Sequence, residues 1–158
     1  MEAMWHKYYP ENHRPQNALN AAQDWRKIMK RVIKDLLFGV LIIVVTLVFE
    51  FIVTLPFVEV ASESDRARWA FLINRELLLT ALPAALITYT FAWLLKTKSR
   101  KDALCRGIIW TCILALYYIL ISIGNGCFDL MFGTIGVYVL LICAFAGTVI
   151  YSVLKRLR

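Results

Sequence analysis

A single carboxylate stands inside an apolar stretch in the first third of the chain. The stretch TLVFEFIVTLPF covers residues 46–57, and Glu50 is its one charged side chain. A charge within a hydrocarbon layer costs at least about 2–3 kcal/mol, so such a side chain faces other helices, finds a partner or takes up a proton. Glu50 therefore predicts either a buried ion pair or a site for a proton or a cation.

The candidate partners of Glu50 lie in one short segment, INREL, and on the next helical turn. Arg75 has a side chain long enough to reach inward, and Asn74 and Glu76 flank it. Thr54 lies one turn after Glu50 on the same helix face. We predict a buried polar cluster of these five residues. Two interpretations stay open: a structural Glu50–Arg75 ion pair between the first two helices, or a proton or cation site in a transport pathway.

The helices that would position this cluster follow from the composition. The chain has 158 residues, 60% hydrophobic and 18% charged, with a mean hydropathy of +0.64. Three runs carry no charge and a fourth carries only Glu50: 77–95, 107–128, 130–154 and 36–58. Each run is close to or above the ~20 residues that cross a bilayer as a helix. The sequence predicts an all-α integral membrane four-helix bundle in residues 33–158, with spans at about 33–58, 75–96, 107–124 and 129–154.

The basic residues are distributed unevenly between the two sides of these spans. Seven Lys and Arg precede the first apolar run, 36–58, five lie between the second and third runs, and three follow the last, whereas the other side has three. Lys and Arg accumulate on the cytoplasmic side of membrane proteins. Both termini are therefore predicted to be cytoplasmic in a multi-pass protein of the cell membrane, and the net charge of +7 is read as a topology signal rather than as nucleic-acid binding.

Residues 1–32 are predicted to form a cytoplasmic tail with a basic amphipathic helix. From Asn17 onward, apolar residues recur at helical spacing, and cations follow in the last two turns. Such a helix lies flat on anionic lipid headgroups. The predicted membrane-surface residues are Trp25, Arg26, Lys27, Lys30 and Arg31. Docking onto a soluble partner is the alternative interpretation.

A short outer interfacial helix is predicted before the second span. SESD, residues 62–65, has the pattern of a helix start. A helix from there to Lys96 would be longer than the bilayer is thick. We therefore expect residues 63–74 to lie at the outer surface and the chain to turn inward near Arg75.

Two further patterns concern helix packing and helix ends. Gly136, Cys143 and Gly147 lie on one face of the last span, a small-residue surface that favours close helix packing. Gly124 and its two successors favour a tight turn after the third span.

The sequence also predicts three aromatic residues at the inner membrane interface: Trp93, Trp110 and Tyr151.

The sequence contains little that could support catalysis. Its two histidines, His6 and His13, are in the tail, and it has no Cys-x-x-Cys pair and no Gly-rich phosphate loop. We predict no catalytic residue, no metal and no cofactor. The favoured function is an accessory, regulatory or immunity-type subunit that binds another membrane component, either a different membrane protein or copies of itself. The alternative is a small homo-oligomeric transporter or channel that uses Glu50.

Overall fold

The computed structural model describes residues 14–54, 66–97 and 99–157. The described residues form helices and turns and contain no strand. The helices are α1 (Arg14–Thr54), α2 (Arg66–Leu94), α3 (Arg100–Gly124), α4 (Phe128–Phe132) and α5 (Ile135–Leu157). Of these, α1, α2, α3 and α5 are long and apolar enough to cross a membrane. The prediction of an all-helical chain with four such helices is thus confirmed.

The chain divides between Lys34 and Asp35 into two compact units. In the first, residues 14–34 are helical. Side chains 20–34 are exposed, and they include large apolar ones such as Trp25, Ile28 and Met29. Lys27 forms an exposed ion pair with Asp24 at 3.5 Å. Residues 20–34 therefore carry both apolar and basic side chains on the surface.

The predicted outer interfacial helix is wrong as a separate element. Residues 66–94 form one helix, with no turn near Arg75. The segment from Arg66 to Leu82 contains no glycine or proline, so nothing in its sequence ends the helix there. The α2 helix also continues through Pro83. The predicted helix start at 62–65, the predicted end of the first span at 58 and the two histidines all lie outside the described residues.

The third long helix begins seven residues before its predicted start at 107. Ser99 is the N-cap of α3, and its hydroxyl accepts a hydrogen bond from the backbone N–H of Asp102 at 3.2 Å. An acidic residue in the first turn also favours a helix start at this point. At its other end, α3 stops at Gly124, as predicted, and Gly126 takes a left-handed φ of 64°.

The last predicted span, 129–154, is divided in the structure. The short helix α4 ends at Phe132, and the N–H of its C-cap residue, Gly133, donates to the carbonyl of Asp129 at 2.9 Å. The Thr134 hydroxyl then bonds to the carbonyl of Met131 at 2.9 Å. The long helix α5 begins one residue later. A side chain that bonds to the carbonyl of the preceding turn accounts for the break.

The core of the second unit, residues 35–158, is formed by two groups of buried apolar residues. The first joins α2, α3 and α5 and contains Leu77, Ala81, Ala84, Leu114, Tyr118, Val137, Leu140 and Ala144. The second adds α1 and contains Ile42, Ile87, Ala92, Trp110 and Tyr151. Trp110 and Tyr151, two of the three aromatic residues predicted at the inner membrane interface, are therefore core residues. Only Trp93 of that predicted trio is exposed.

Candidate functional site

Glu50 is half-buried near the end of α1 and contacts a side chain of α3. The hydroxyl of Tyr118 donates a hydrogen bond to the Glu50 carboxylate. Tyr118 itself is buried in the core, so its hydroxyl is held in place by the packing of the ring. The Glu50 carboxylate therefore faces the space between the helices rather than the outer surface of the protein.

A second carboxylate lies beside this pair. The Thr54 hydroxyl is 2.8 Å from Oε1 of Glu76 on α2, and it also bonds to the backbone carbonyl of Glu50. Thr80, one turn further along α2, bonds to the Glu76 carbonyl at 2.9 Å. We call Glu50, Thr54, Glu76 and Tyr118 the Glu50 cluster. It connects α1, α2 and α3 through carboxylate and hydroxyl oxygens.

The structure brings together only part of the cluster predicted from the sequence. Among the described residues, no ion pair joins Glu50 to Arg75. The Arg75 guanidinium instead lies over the ring of Phe71, 6.0 Å from its centroid. Asn74 points to α5, where its Oδ1 accepts a hydrogen bond from the N–H of Gly136 at 2.8 Å. The expected Glu50–Arg75 pair is therefore wrong, because the Tyr118 hydroxyl takes the position next to the carboxylate.

A second polar cluster, which sequence reasoning missed, joins Asp35 of α1 to Arg106 in the second turn of α3. Arg106 Nε is 3.2 Å from Asp35 Oδ1 and 3.9 Å from Asp102 Oδ1. Its Nη1 donates to the Thr97 hydroxyl at 2.9 Å and to the Leu95 carbonyl at 3.4 Å. We call Asp35, Thr97, Asp102 and Arg106 the Arg106 cluster. All four are buried.

Two neighbours extend the Arg106 cluster to other helices. Trp110 donates its indole N–H to the backbone carbonyl of Asp35 at 3.0 Å. Lys155 of α5 donates to the backbone carbonyl of Thr97 at 2.8 Å. The cluster therefore connects α1, α3, α5 and the turn after α2. A guanidinium with several donors in one plane is suited to joining so many groups.

A local signal for the Arg106 cluster was present in the sequence. Asp102 and Arg106 are four residues apart on one helix, a spacing at which opposite charges meet. They fall in the basic segment between the second and third spans, and its high charge suggested solvent. The contribution of Asp35 depends on how α1 packs on α3, which no local pattern reveals.

The predicted packing residues lie where α5 meets α2. A Cβ added to Gly136 would come within 2.8 Å of the Asn74 carbonyl oxygen, and one added to Gly147 would meet the Ala85 carbonyl and the Thr88 hydroxyl. Cys143 is half-buried against the first core group. At both glycines the backbones of the two helices approach closely, which a larger residue would prevent.

Of the four long helices, α1 is the one that the rest of the protein covers least. In its most apolar stretch 17% of the residues are buried, against 28–39% in the other three. Five large exposed side chains follow one another at spacings of three and four residues: Leu37, Val40, Val44, Val48 and Phe51.

Along the described chain, no group of three or more His, Cys, Asp or Glu is placed to hold a metal ion.

Comparison with known proteins gives no relative. No protein-family model, no curated protein and no solved structure matches this chain.

Proposed function

We propose that this chain is a multi-pass integral membrane protein that acts without catalysis, as an accessory, regulatory or immunity-type subunit of another membrane component. The observation that carries the proposal is the row of exposed apolar side chains on α1. Lipid would cover this row in a monomer, and a helix of a partner would cover it in a complex. Its spacing of three and four residues is the spacing by which membrane helices pack on one another.

The polar residues of the Arg106 cluster support this proposal indirectly. Their side chains bond to one another and to the backbone of neighbouring elements, so they hold the helices in a fixed arrangement. A rigid set of helices that leaves one side of α1 uncovered is suited to binding another helix. The expected partner is therefore a membrane-spanning protein, and a second copy of this chain is the other possibility of the same kind.

The membrane placement belongs to the same proposal. The excess of Lys and Arg on one side favours both termini in the cytoplasm of a cell whose plasma membrane holds the protein. Helix residues 14–34 would then bind anionic headgroups through Arg26, Lys27, Lys30 and Arg31, with Trp25 at headgroup depth. Salt should weaken that contact: a peptide of residues 16–32 should show a blue-shifted Trp25 emission on anionic vesicles that added salt reverses.

The test of the main proposal is photo-crosslinking in the native membrane. A photoreactive amino acid replaces Val44 on the exposed row of α1 or, as the matched control, Leu82, which is also exposed but on α2. We expect Val44 to give a discrete protein adduct and Leu82 to give none. An adduct of twice the chain mass identifies a second copy. No protein adduct from Val44, with the protein correctly inserted, would contradict the proposal.

A second candidate function is a small homo-oligomeric transporter or channel that uses Glu50. The observation that favours it is the partner of Glu50, which is a hydroxyl rather than a cation. A carboxylate that is not committed to an ion pair is free to exchange a proton or a cation. The test is proton-coupled flux in proteoliposomes, which Glu50→Gln should abolish while the protein still folds.

A further inference from the structure

We propose that the surface where the turn between α2 and α3 meets the last turn of α5 binds the headgroup of an anionic phospholipid. Four exposed cations form this surface, and we call them the basic patch: Lys96, Arg100, Lys101 and Lys155. The proposed site rests on the membrane placement given above. It is a different surface from the helical residues 14–34, since it lies wholly within residues 35–158.

The structure brings the end of α5 to the turn between α2 and α3. Lys155 Nζ donates to the backbone carbonyl of Thr97 at 2.8 Å. The same turn is held from α3, because Arg106 Nη1 donates to the Thr97 hydroxyl at 2.9 Å. Lys96 precedes Thr97 directly, and the first two residues of α3 follow shortly after it. Cations from two segments that are far apart in the sequence therefore lie around one fixed turn.

The exposed charge around this turn is entirely positive. Asp35 and Asp102 are the carboxylates nearest to it, and both are buried against Arg106. Asp129 pairs with Arg66 at the start of α2, and α5 contains no acidic residue. Among the described residues, no ion pair joins a carboxylate to the basic patch. A surface of this kind attracts an anion.

Three of the four cations occupy positions that the local structure disfavours for them. Lys96 has a φ of 47°, a left-handed value that no other non-glycine residue of the described chain adopts. The N–H of Thr97 bonds to the Ala92 carbonyl at 3.2 Å, so α2 ends in a motif that favours glycine at the position of Lys96. Arg100 and Lys101 occupy the first turn of α3, where the helix dipole disfavours cations.

Helix formation therefore does not explain why these three positions carry cations. Orientation in the membrane depends on the number of Lys and Arg in a loop, and it does not explain why they stand at unfavourable positions within it. Residues that break a local rule without a structural gain are expected at functional sites. Binding of an anion would explain all three.

Exposed apolar side chains next to the basic patch select the class of anion. They lie within three residues of a patch member on each of α2, α3 and α5: Trp93, Leu94, Leu104 and Leu154. A phospholipid offers a phosphate to the cations and acyl chains to the apolar side chains. A nucleic acid or an acidic soluble protein would leave these apolar side chains in water. The arrangement therefore fits an anionic phospholipid best.

The experiment measures lipid binding to the full-length protein in mild detergent by native mass spectrometry. Phosphatidylglycerol and phosphatidylcholine with identical acyl chains are titrated, and we expect the anionic lipid to bind more tightly. Lys96→Gly should weaken phosphatidylglycerol binding about fivefold, the effect of one cation near a headgroup. The midpoint of thermal unfolding should stay constant or rise, because glycine accepts the left-handed φ more readily.

Two further variants separate the basic patch from the rest of the protein. Arg100→Gln combined with Lys101→Gln should weaken phosphatidylglycerol binding about 25-fold without lowering the unfolding midpoint, since the helix dipole disfavours both cations. The matched control is Arg66→Gln, which removes one exposed cation at the other end of α2. Its phosphatidylglycerol binding should equal that of the natural protein.

The helical residues 14–34 are proposed to bind headgroups as well, so their contribution is removed in a parallel series. Each patch variant is repeated in a chain in which Arg26, Lys27 and Lys30 are replaced by glutamine. The same fold-loss from Lys96→Gly in both series would assign that loss to the basic patch. A loss that disappears in the parallel series would assign it to the tail and overturn the proposed site.

Three other outcomes would overturn the proposed site. Unchanged phosphatidylglycerol binding in the patch variants would leave these cations as an orientation signal only. A lowered unfolding midpoint together with the lost binding would make their role structural. Displacement of the lipid by an equal concentration of glycerol phosphate would identify a soluble phosphate as the ligand. The crosslinking result at Val44 does not depend on the basic patch, so the two proposals fail separately.

Discussion

The Nε atom of Arg106 lies 3.2 Å from Oδ1 of Asp35, and both side chains are more than nine-tenths buried. Arg106 belongs to the second turn of α3, whereas Asp35 lies within α1. The Oδ1 atom of Asp102 lies 3.9 Å from the same Nε. Buried ion pairs are costly to form and still more costly to break on one side only. The pair therefore fixes α1 against α3.

Removal of Arg106 should destabilise the protein more than removal of Asp35. Arg106→Gln leaves two buried carboxylates together, and the loss of a buried partner costs about 3–5 kcal/mol. Asp35→Asn should cost less, because Arg106 keeps Asp102 and its bond to Thr97. The measurement is the unfolding free energy in mild detergent.

The control for this comparison is the exposed pair between Arg66 and Asp129, at 3.7 Å. Asp129→Asn should change stability by no more than about 1 kcal/mol, since exposed pairs contribute little. A loss from Asp35→Asn that equals or exceeds the loss from Arg106→Gln would contradict the assigned role of the guanidinium.

The sequence was sufficient to predict the four long apolar helices, because each has an uncharged or nearly uncharged run of membrane length. Their ends were less predictable. The early start of α3 depends on a single hydrogen bond from Asp102 to Ser99. The break before α5 depends on the local bonds of Gly133 and Thr134. These short-range hydrogen bonds depend on one or two residues, so they hardly alter the average composition of the segment from which a helix is predicted.

The candidate sites were predictable only in part, for a different reason. Glu50 stands out because it is charged within an apolar run, and the Thr54 hydroxyl bonds both to its backbone carbonyl and to the Glu76 carboxylate. Its partner Tyr118 did not stand out, because tyrosine is an ordinary residue in apolar helices. Arg106 lies in the basic segment between the second and third spans, which composition assigns to solvent, and Asp35 lies at the start of the predicted first span, where nothing in the sequence marks its partner. Only the packing of α1 on α3 reveals both pairs.

Two tryptophans that the sequence treats alike should respond differently to the same change. Trp110 is 1% exposed and Trp93 is 60% exposed. Trp110→Phe removes the indole donor to the Asp35 carbonyl and part of a fully buried side chain, at a cost of about 1–3 kcal/mol. Trp93→Phe should cost less than about 0.5 kcal/mol. Thermal unfolding in mild detergent measures both, and equal effects would contradict the burial of Trp110.

The close approach of α5 to α2 gives a prediction for Gly147. A methyl group there would meet the Ala85 carbonyl oxygen and the Thr88 hydroxyl, and forcing extra atoms into a packed contact costs about 1–3 kcal/mol. The matched control is Gly124→Ala, where an added Cβ has no atom within 4 Å. The midpoint of thermal unfolding should fall for Gly147→Ala and stay nearly constant for the control. A tolerated Gly147→Ala would mean that the helices lie further apart.

The proposed topology is tested by the natural cysteines, which are all free. A membrane-impermeant maleimide added outside intact cells should label Cys127, in the turn after α3, and should not label Cys105, near its start. Cys127→Ser should abolish the outside signal, and permeabilised cells should then show Cys105. Outside labelling of Cys105 in intact cells would reverse the orientation inferred from the Lys and Arg distribution.

The partner of Glu50 is tested by two double-mutant cycles on the unfolding free energy. Glu50→Gln and Tyr118→Phe alter the two ends of one hydrogen bond, so their effects should be non-additive, with a coupling of about 0.5–3 kcal/mol. The same change combined with Arg75→Gln should show a smaller coupling, because the Arg75 guanidinium lies over the ring of Phe71. The comparison uses Glu50→Gln in both cycles, so any general effect of that variant on the detergent-solubilised protein cancels. A larger coupling with Arg75 than with Tyr118 would restore the ion-pair interpretation, and with it the purely structural role of Glu50.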